Sequence, residues 1–343
     1  MRETLSAVIV CWSSAFAVRG LLRSAGVVDR PNQRSSHTEP TVRGGGIAIV
    51  CSVWALGIVQ QWHHYSPAMV TILSCFACLA IISFVDDLKG LGSLTRFGCH
   101  LVAAIAAVEV IGVDGLLSSF FPFSSSHIVH FVEWSLSILW IVGYTNAFNF
   151  MDGINGIAST QAAIGGLGGA LLYRTQAGLV ASDPVILSYI VGGAALGFLP
   201  HNFPRARMFM GDVGSAPLGY LLAVIVLWAA KVAGWWTLIP FLLLHSNFVL
   251  DTAITLGRRV VRRERWYEAH REHFYQRLVR SGKSHTFVTG MEVALQVVVL
   301  SLLAVYLSAS TPLRLAIISS ILVLWLCFFY YCERVYRRFS EVG

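Results

Sequence analysis

The chain has 343 residues, 56% of them apolar and only 13% charged, with a mean hydropathy of +0.67. Soluble globular chains lie near 45–50% apolar and roughly 25% charged. The departure in both directions excludes a disordered chain, a secreted disulfide scaffold and an ordinary soluble enzyme, and leaves a polytopic membrane protein. The seven cysteines all sit in or beside apolar runs, so they imply packing and not a disulfide framework.

Taken in chain order, apolar runs occupy 5–22, 44–60, 67–85, 97–113, 128–148, 157–173, 184–200, 214–230, 235–254, 288–308 and 313–332. Each approaches the length that crosses a bilayer of about 30 Å as a helix. The sequence predicts an all-α membrane bundle of about eleven transmembrane helices, forming one integral-membrane domain over 1–343. The loops 23–43, 86–96, 146–156, 201–213 and 256–287 then share one face with the C-terminal tail, and that face carries 20 of the 25 Lys and Arg residues. The positive-inside rule makes it cytoplasmic, with the N-terminus outside. The net charge of +7 is thus a matter of topology, and no nucleic-acid partner is expected.

Nearly all the unusual chemistry lies in those loops. The first, Asp29 to Gly46, ends in Arg43 and a glycine triplet opening the second span, where free N–H groups at a helix start would suit an anion. At the end of the third span stand Asp86 and Asp87. Adjacent helical side chains diverge by about 100°, so one could face a metal while the other meets a second charge. Asn146, Asn149 and Asp152 recur at i, i+3 and i+6 before a Gly-Ile-Asn-Gly turn, with no Lys or Arg nearby in sequence. Asp212 lies between two glycines where a loop enters the eighth span, as metal ligand or helix cap. His270 and His273 share a helical face in a basic stretch, with Arg277 one turn on; an interfacial helix on anionic lipid would look the same.

Together these clusters suggest phosphates handled with Mg²⁺. Phosphoryl transfer needs a metal bridging phosphate oxygens, cations absorbing charge, and positioning of the attacking oxygen. Mg²⁺ takes one or two carboxylates plus substrate phosphates and waters, which matches this supply. A secondary transporter is the competing class, with Glu109, Glu133, His245, Asn247 and Asp251 as its ion path. Transporters, however, place polar groups near the midplane and often in two related halves.

The runs DRPNQRSSHTEPTVRGGG, FVDDLKG, NAFNFMDGINGIA, FMGDVGS and HREHFYQR resemble, in order, the five cytoplasmic signatures of the polyprenyl-phosphate N-acetylhexosamine-1-phosphate transferases of glycosyltransferase family 4. The forms PTVRGG and HREH are similar to the branch that initiates O-antigen or teichoic-acid carriers, and depart from the PTMGG run and three consecutive histidines of the muramoyl-pentapeptide branch. The resemblance implies that undecaprenyl phosphate and a UDP-N-acetylhexosamine (UDP-GlcNAc or a 6-deoxy amino sugar) give a polyprenyl-diphospho-sugar and UMP. It implies Mg²⁺, with Mn²⁺ as the substitute ion, held by Asp212 and Asn149, with Asp86, Asp87, Asp152, His270 and His273 as catalytic residues. Arg43, Asn146, Asn155, Phe209 and Arg277 would bind substrate, Phe209 and the 152–155 turn near the uracil. The implied setting is the bacterial inner membrane, with a cytoplasmic site, and a homodimer is compatible with it.

Overall fold

The computed structural model describes residues 2–31, 39–61, 65–121, 127–177, 182–265 and 270–342; the 32–38 part of the first loop lies outside them. Helix α1 (Arg2–Ser24) leads into two short antiparallel strands, β1 (Val28–Asp29) and β2 (Thr41–Val42), that bracket the first loop. Then follow α2 (Gly46–Gln61), α3 (Pro67–Lys89), α4 (Ser93–Ile111) and α5 (His127–Met151). Helices α6 (Ile157–Ala163) and α7 (Gly169–Ala177) flank a π-helical turn at Ile164–Gly168. Helices α8 (Asp183–Asn202), α9 (Asp212–Ala233), α10 (Leu238–Leu243) and α11 (Ser246–Val261) come next, then α12 (Phe274–Arg280), α13 (His285–Tyr306) and α14 (Thr311–Val342).

All eleven predicted runs are helical, and the chain is a multi-pass membrane bundle. Among the described residues, eight helices are long and apolar enough to cross singly, and α10 with α11 makes a ninth if the bent pair is one span. Three predicted spans fall outside those eight: α2 is apolar but shorter than a full span, and two others are not straight helices. The run 157–173 is interrupted where Gly165, Gly166 and Gly168 remove the side chains that favour a regular helix. The run 235–254 bends by 71° between α10 and α11. Beyond Leu243 the sequence turns polar, and Ser246, Asn247, Asp251, Thr252 and Thr255 are buried against protein instead of meeting lipid.

Helix α9 is apolar all round, and every residue from Val213 to Ala230 is buried. Such a helix belongs at the centre of a bundle; α3 and α5 are its main neighbours, with α2, α4 and α8 also against it. Small residues Ala7, Cys11 and Ala15 on one face of α1 give α8 its close approach. A buried polar network ties the later helices together: Gln161 Oε1 accepts from Asn247 Nδ2 and Gln296 Nε2, both at 3.0 Å, and Tyr144 Oη meets His245 Nδ1 at 2.6 Å. Such hydrogen bonds hold helices together where lipid offers no hydrophobic drive.

Candidate active site

The start of central helix α9 is where distant loops converge. Its N-cap position is Gly211, at φ +75°, and a Cβ there would lie 2.9 Å from Asp87 Oδ2. The free N–H groups of this helix start are taken by Asp87 from the end of α3: Asp212 N–H donates to Oδ1 at 3.2 Å and Val213 N–H to Oδ2 at 3.0 Å. A carboxylate at a helix N-terminus satisfies orphan donors and complements the helix dipole. Arg43 reaches the same carboxylate at 2.7 Å and Asp212 Oδ1 at 3.2 Å. Arg96, at the start of α4, meets Asp86 at 3.0 Å and Asp212 Oδ2 at 3.6 Å. Asp86 and Asp87 thus diverge as predicted, but each meets an arginine, and Asp87 is almost completely enclosed at 1% exposure.

The glycine triplet has a different role from the predicted anion site. Gly45 N–H donates to the Phe209 carbonyl and Gly46 N–H to the Met210 carbonyl, at 2.8 and 2.9 Å, while Phe209 N–H donates to the Val42 carbonyl at 2.8 Å. These amides are spent on a parallel, strand-like contact that continues the Val42–Met208 bridge. A Cβ at Gly46 would stand 2.4 Å from the Gly214 Cα, so only glycine lets α2 touch α9 here. The triplet locks loop to loop and thereby sets Arg43 over Asp212. Phe209 is half-buried in the same contact.

Asp152 follows α5 directly and is half-buried, with no side-chain partner among the described residues. Burial, then the Asp212 and Asp87 carboxylates, push its carboxyl well above the ordinary range despite the opposing pull of Arg43. Asn149, one turn earlier, accepts from Ser215 Oγ at 2.5 Å, which fastens α5 to α9. Asn146 donates to the Val142 carbonyl of its own helix at 2.7 Å. The turn after Asp152 is held from outside: Asn202 accepts from Gly156 N–H at 2.7 Å and donates to the Met208 carbonyl at 3.0 Å. Asn155 donates to the Pro204 carbonyl at 3.1 Å and its own carbonyl accepts from Thr289 at 2.8 Å.

The histidines meet, though not on the predicted helix face. His273 is the N-cap of the seven-residue α12, and His270 lies in the preceding loop. The two rings stack with centroids 4.9 Å apart, near Phe150 at the end of α5. Asp251 fixes the arrangement: its carboxylate meets His273 Nδ1 at 2.9 Å and accepts the Phe274 N–H at 3.0 Å. Such a buried carboxylate sets the orientation of the ring, and the His273 side chain is itself buried at 2% exposure. Tyr275 Oη donates to the Phe150 carbonyl at 2.9 Å, which docks α12 beside Asp152. Burial, with His273 and Arg259 alongside, pushes His270 down to about 4, so it is neutral at pH 7. Its Nδ1 is buried without a hydrogen-bond partner among the described residues.

Arg277, expected to bind substrate, makes its contacts here within the protein. Its guanidinium is buried, donates to Glu333 at 2.7 Å and to the Glu272 carbonyl at 2.8 Å, and so clamps α12 to α14. The residues weighed as an ion path are likewise dispersed: Asp251 serves His273, Glu133 accepts the Leu117 N–H at 2.8 Å, and His245 and Asn247 belong to the Gln161 network. Sequence reasoning missed Arg96, Asn202, Ser215 and Glu333. Arg96 had one signal, its place in the same short loop as Asp86.

The arrangement presents oxygen donors from Asp212, at 23% exposure, and Asp152, with Asn149 beside them and two arginines across. An all-oxygen set with one carboxylate that meets no cationic side chain among the described residues suits a hard divalent ion.

The profile of glycosyl transferase family 4 matches residues 69–230, the stretch that includes Asp86, Asp87, Asn149, Asp152 and Asp212. Decaprenyl-phosphate N-acetylglucosaminephosphotransferase of Mycobacterium tuberculosis H37Rv is 31% identical over 313 residues, covering 82% of this chain and 76% of the relative. A probable undecaprenyl-phosphate N-acetylglucosaminyl 1-phosphate transferase of Bacillus subtilis 168 is 30% identical, covering 85% and 82%. Phospho-N-acetylmuramoyl-pentapeptide-transferase of Lactococcus lactis subsp. cremoris MG1363 is 32% identical over a shorter stretch, 65% and 68%. With helices throughout and the aspartates inside the matched stretch, the chain belongs to glycosyl transferase family 4, as a multi-pass membrane enzyme.

Proposed function

We propose that this enzyme transfers N-acetylhexosamine 1-phosphate from a UDP-sugar to undecaprenyl phosphate on the cytoplasmic face of a bacterial inner membrane, releasing UMP and initiating O-antigen or a related polysaccharide. The observation that carries the reading is the convergence of Arg43, Asp87, Arg96 and Asp212 from four separate segments beside Asp152, which has no side-chain partner among the described residues. The two N-acetylglucosamine-phosphate transferase relatives align over 82% and 85% of this chain against 65% for the pentapeptide transferase, which favours the first class of donor.

In this reading an oxygen of the lipid phosphate bonds to the sugar-bearing phosphorus of the donor. The bond from that phosphorus to the bridging oxygen breaks, and UMP leaves with that oxygen. The lipid phosphate needs no general base, because a monoester with second pKa near 6 is already largely dianionic at neutral pH. Asp212 and Asp152, with Asn149, would hold Mg²⁺, which when bound neutralises the diphosphate oxygens. Arg43 and Arg96 hold Asp212 in place and add positive charge where negative charge gathers. Asp87 fixes the helix start that presents Asp212. Neutral His270 and the Asp251-oriented His273 line the approach from α12 as hydrogen-bonding groups for the sugar or diphosphate.

Purified protein given undecaprenyl phosphate and a panel of radiolabelled UDP-sugars, with and without Mg²⁺, tests the whole reading. Mg²⁺-dependent UMP release with a labelled lipid product establishes it and names the sugar. Turnover of UDP-N-acetylmuramoyl-pentapeptide alone would transfer the chain to the pentapeptide class, and no turnover with any donor would sink the proposal.

A further inference from the structure

Across α12 from the aspartates lies a second cleft, of about 480 Å³, between α11, α12 and α14. Its walls divide by chemistry. Leu326, Phe329 and Tyr330 line the part of α14 inside the predicted span, with Leu326 and Tyr330 exposed at 59% and 67%. Arg258, Arg334 and Arg337 line the end where α14 leaves that span. From Leu326 to Arg337 the helix rises about 16 Å, enough to run from the outer acyl zone through the headgroup layer.

The charges at the basic end are unbalanced. Among the described residues Glu333 is the one acid lining the cleft, and it already accepts from Arg258 at 3.0 Å, Arg277 at 2.7 Å and Arg337 at 3.0 Å. Arg334 makes no ion pair among the described residues. Three guanidiniums thus share one carboxylate, and a fourth, that of Arg334, lines the same cleft above an apolar wall.

We propose that this cleft binds a bulk anionic phospholipid, its phosphate among Arg258, Arg334 and Arg337 and its acyl chain along Leu326 and Tyr330. Basic pockets at the cytoplasmic border of helix bundles recognise such headgroups by charge. The apolar wall distinguishes a lipid from free phosphate, which would use only the basic end. The lipid acceptor of the proposed reaction is a separate matter, because α12 presents its two sides to different places. Tyr275 reaches the Phe150 carbonyl beside Asp152, whereas Phe274 stacks on Phe329 at 4.5 Å and lies under Arg258. An occupant would therefore brace the clamp between Arg277 and Glu333 that seats α12, and with it His273.

The test is a binding measurement and needs no turnover, so it stands or falls apart from the transferase reading. Full-length protein in detergent is titrated with phosphatidylglycerol or phosphatidylcholine and the bound lipid read by native mass spectrometry. Phosphatidylglycerol is expected to be retained in preference, and Arg334→Gln with Arg337→Gln to weaken that retention about thirty-fold, at roughly tenfold per 1.4 kcal/mol and near 1 kcal/mol per arginine. Arg338→Gln removes a charge outside the cleft and should retain the lipid nearly as well as the parent. If the double variant fails to fold, Arg334→Lys with Arg337→Lys keeps the charge and should keep binding. Equal retention of the two lipids overturns the proposal, as does equal loss in Arg338→Gln. Displacement by millimolar inorganic phosphate alone, or one-for-one by undecaprenyl phosphate, would reassign the cleft to a free anion or to the acceptor.

Discussion

Asp152 and Asp251 belong to neighbouring parts of the same membrane face and are treated in opposite ways. Asp251 is 1% exposed and meets an imidazole and a backbone N–H, so its charge is matched where it stands. Asp152 is half-buried beside two further carboxylates, with no side-chain partner among the described residues. A buried charge without a partner costs stability, and folds keep such a group where something else is to complete it. The matched carboxylate is architecture, and the unmatched one is where the proposed reaction would seat its cation and phosphates. Asp212 sits between the two cases, held by Arg43 and Arg96 yet still open to one side.

The contrast breaks most visibly in turnover. Asp212→Asn removes a charge from the open side of the cluster, and Asp87→Asn loosens the helix start that presents it. Each is expected to lower transfer by at least about a thousand-fold, some 4 kcal/mol of barrier, while the protein still purifies as a folded membrane species. Wild-type turnover in both variants at saturating Mg²⁺ would remove the aspartate cluster from the chemistry. Asp251→Ala should instead act on the fold. Breaking one side of a buried pair costs about 3 kcal/mol or more, and the loss should show as a lowered thermal midpoint in detergent and as faster proteolysis of the 262–284 segment. An unchanged midpoint would mean that Asp251 is not the anchor described above.

Metal supply sharpens the same distinction. With chelator present, adding Mg²⁺ to a hundred times its dissociation constant should stabilise the parent by about 2.7 kcal/mol. The gain should shrink in Asp212→Asn and Asp152→Asn and persist in Asp251→Ala. A gain of the same size in every variant would place the ion elsewhere.

What the sequence revealed follows the range of each interaction. Helices were legible because periodicity and length are local, and the carboxylates because a charge at the end of an apolar run is conspicuous. The bend after Leu243 was less so: the polar residues that follow it, Asn247 and Asp251, meet partners on α6, α12 and α13 that lie far along the chain. Gly44, Gly45 and Gly46 read as a helix start suited to an anion, whereas they serve a close approach to the distant 209–214 segment. The ion pair of Arg277 was hidden for the same reason. Its partner Glu333 stands 56 residues away at the end of the last helix, and nothing local marks the pair.

The smallest effect is the most diagnostic, because its sign runs against intuition. Folding raises the Asp152 carboxyl above its ordinary value, through burial first and then Asp212 and Asp87. For an acid this means that the native state disfavours the ionised form, so ionised Asp152 costs stability at pH above the native value. The penalty disappears as the pH falls to the ordinary carboxylate range near 4. Without metal, Asp152→Asn should therefore raise the thermal midpoint at pH 7, by an increment corresponding to about 1 kcal/mol, and the advantage should shrink on acidification. The same variant should lose turnover, since the group that burdens the empty fold is the one proposed to hold the ion. Saturating Mg²⁺ should reverse the order of the two midpoints, because the cation supplies the charge that Asp152 lacks. A variant less stable than the parent at pH 7 without metal would show that Asp152 already has its partner, and the distinction from Asp251 would collapse.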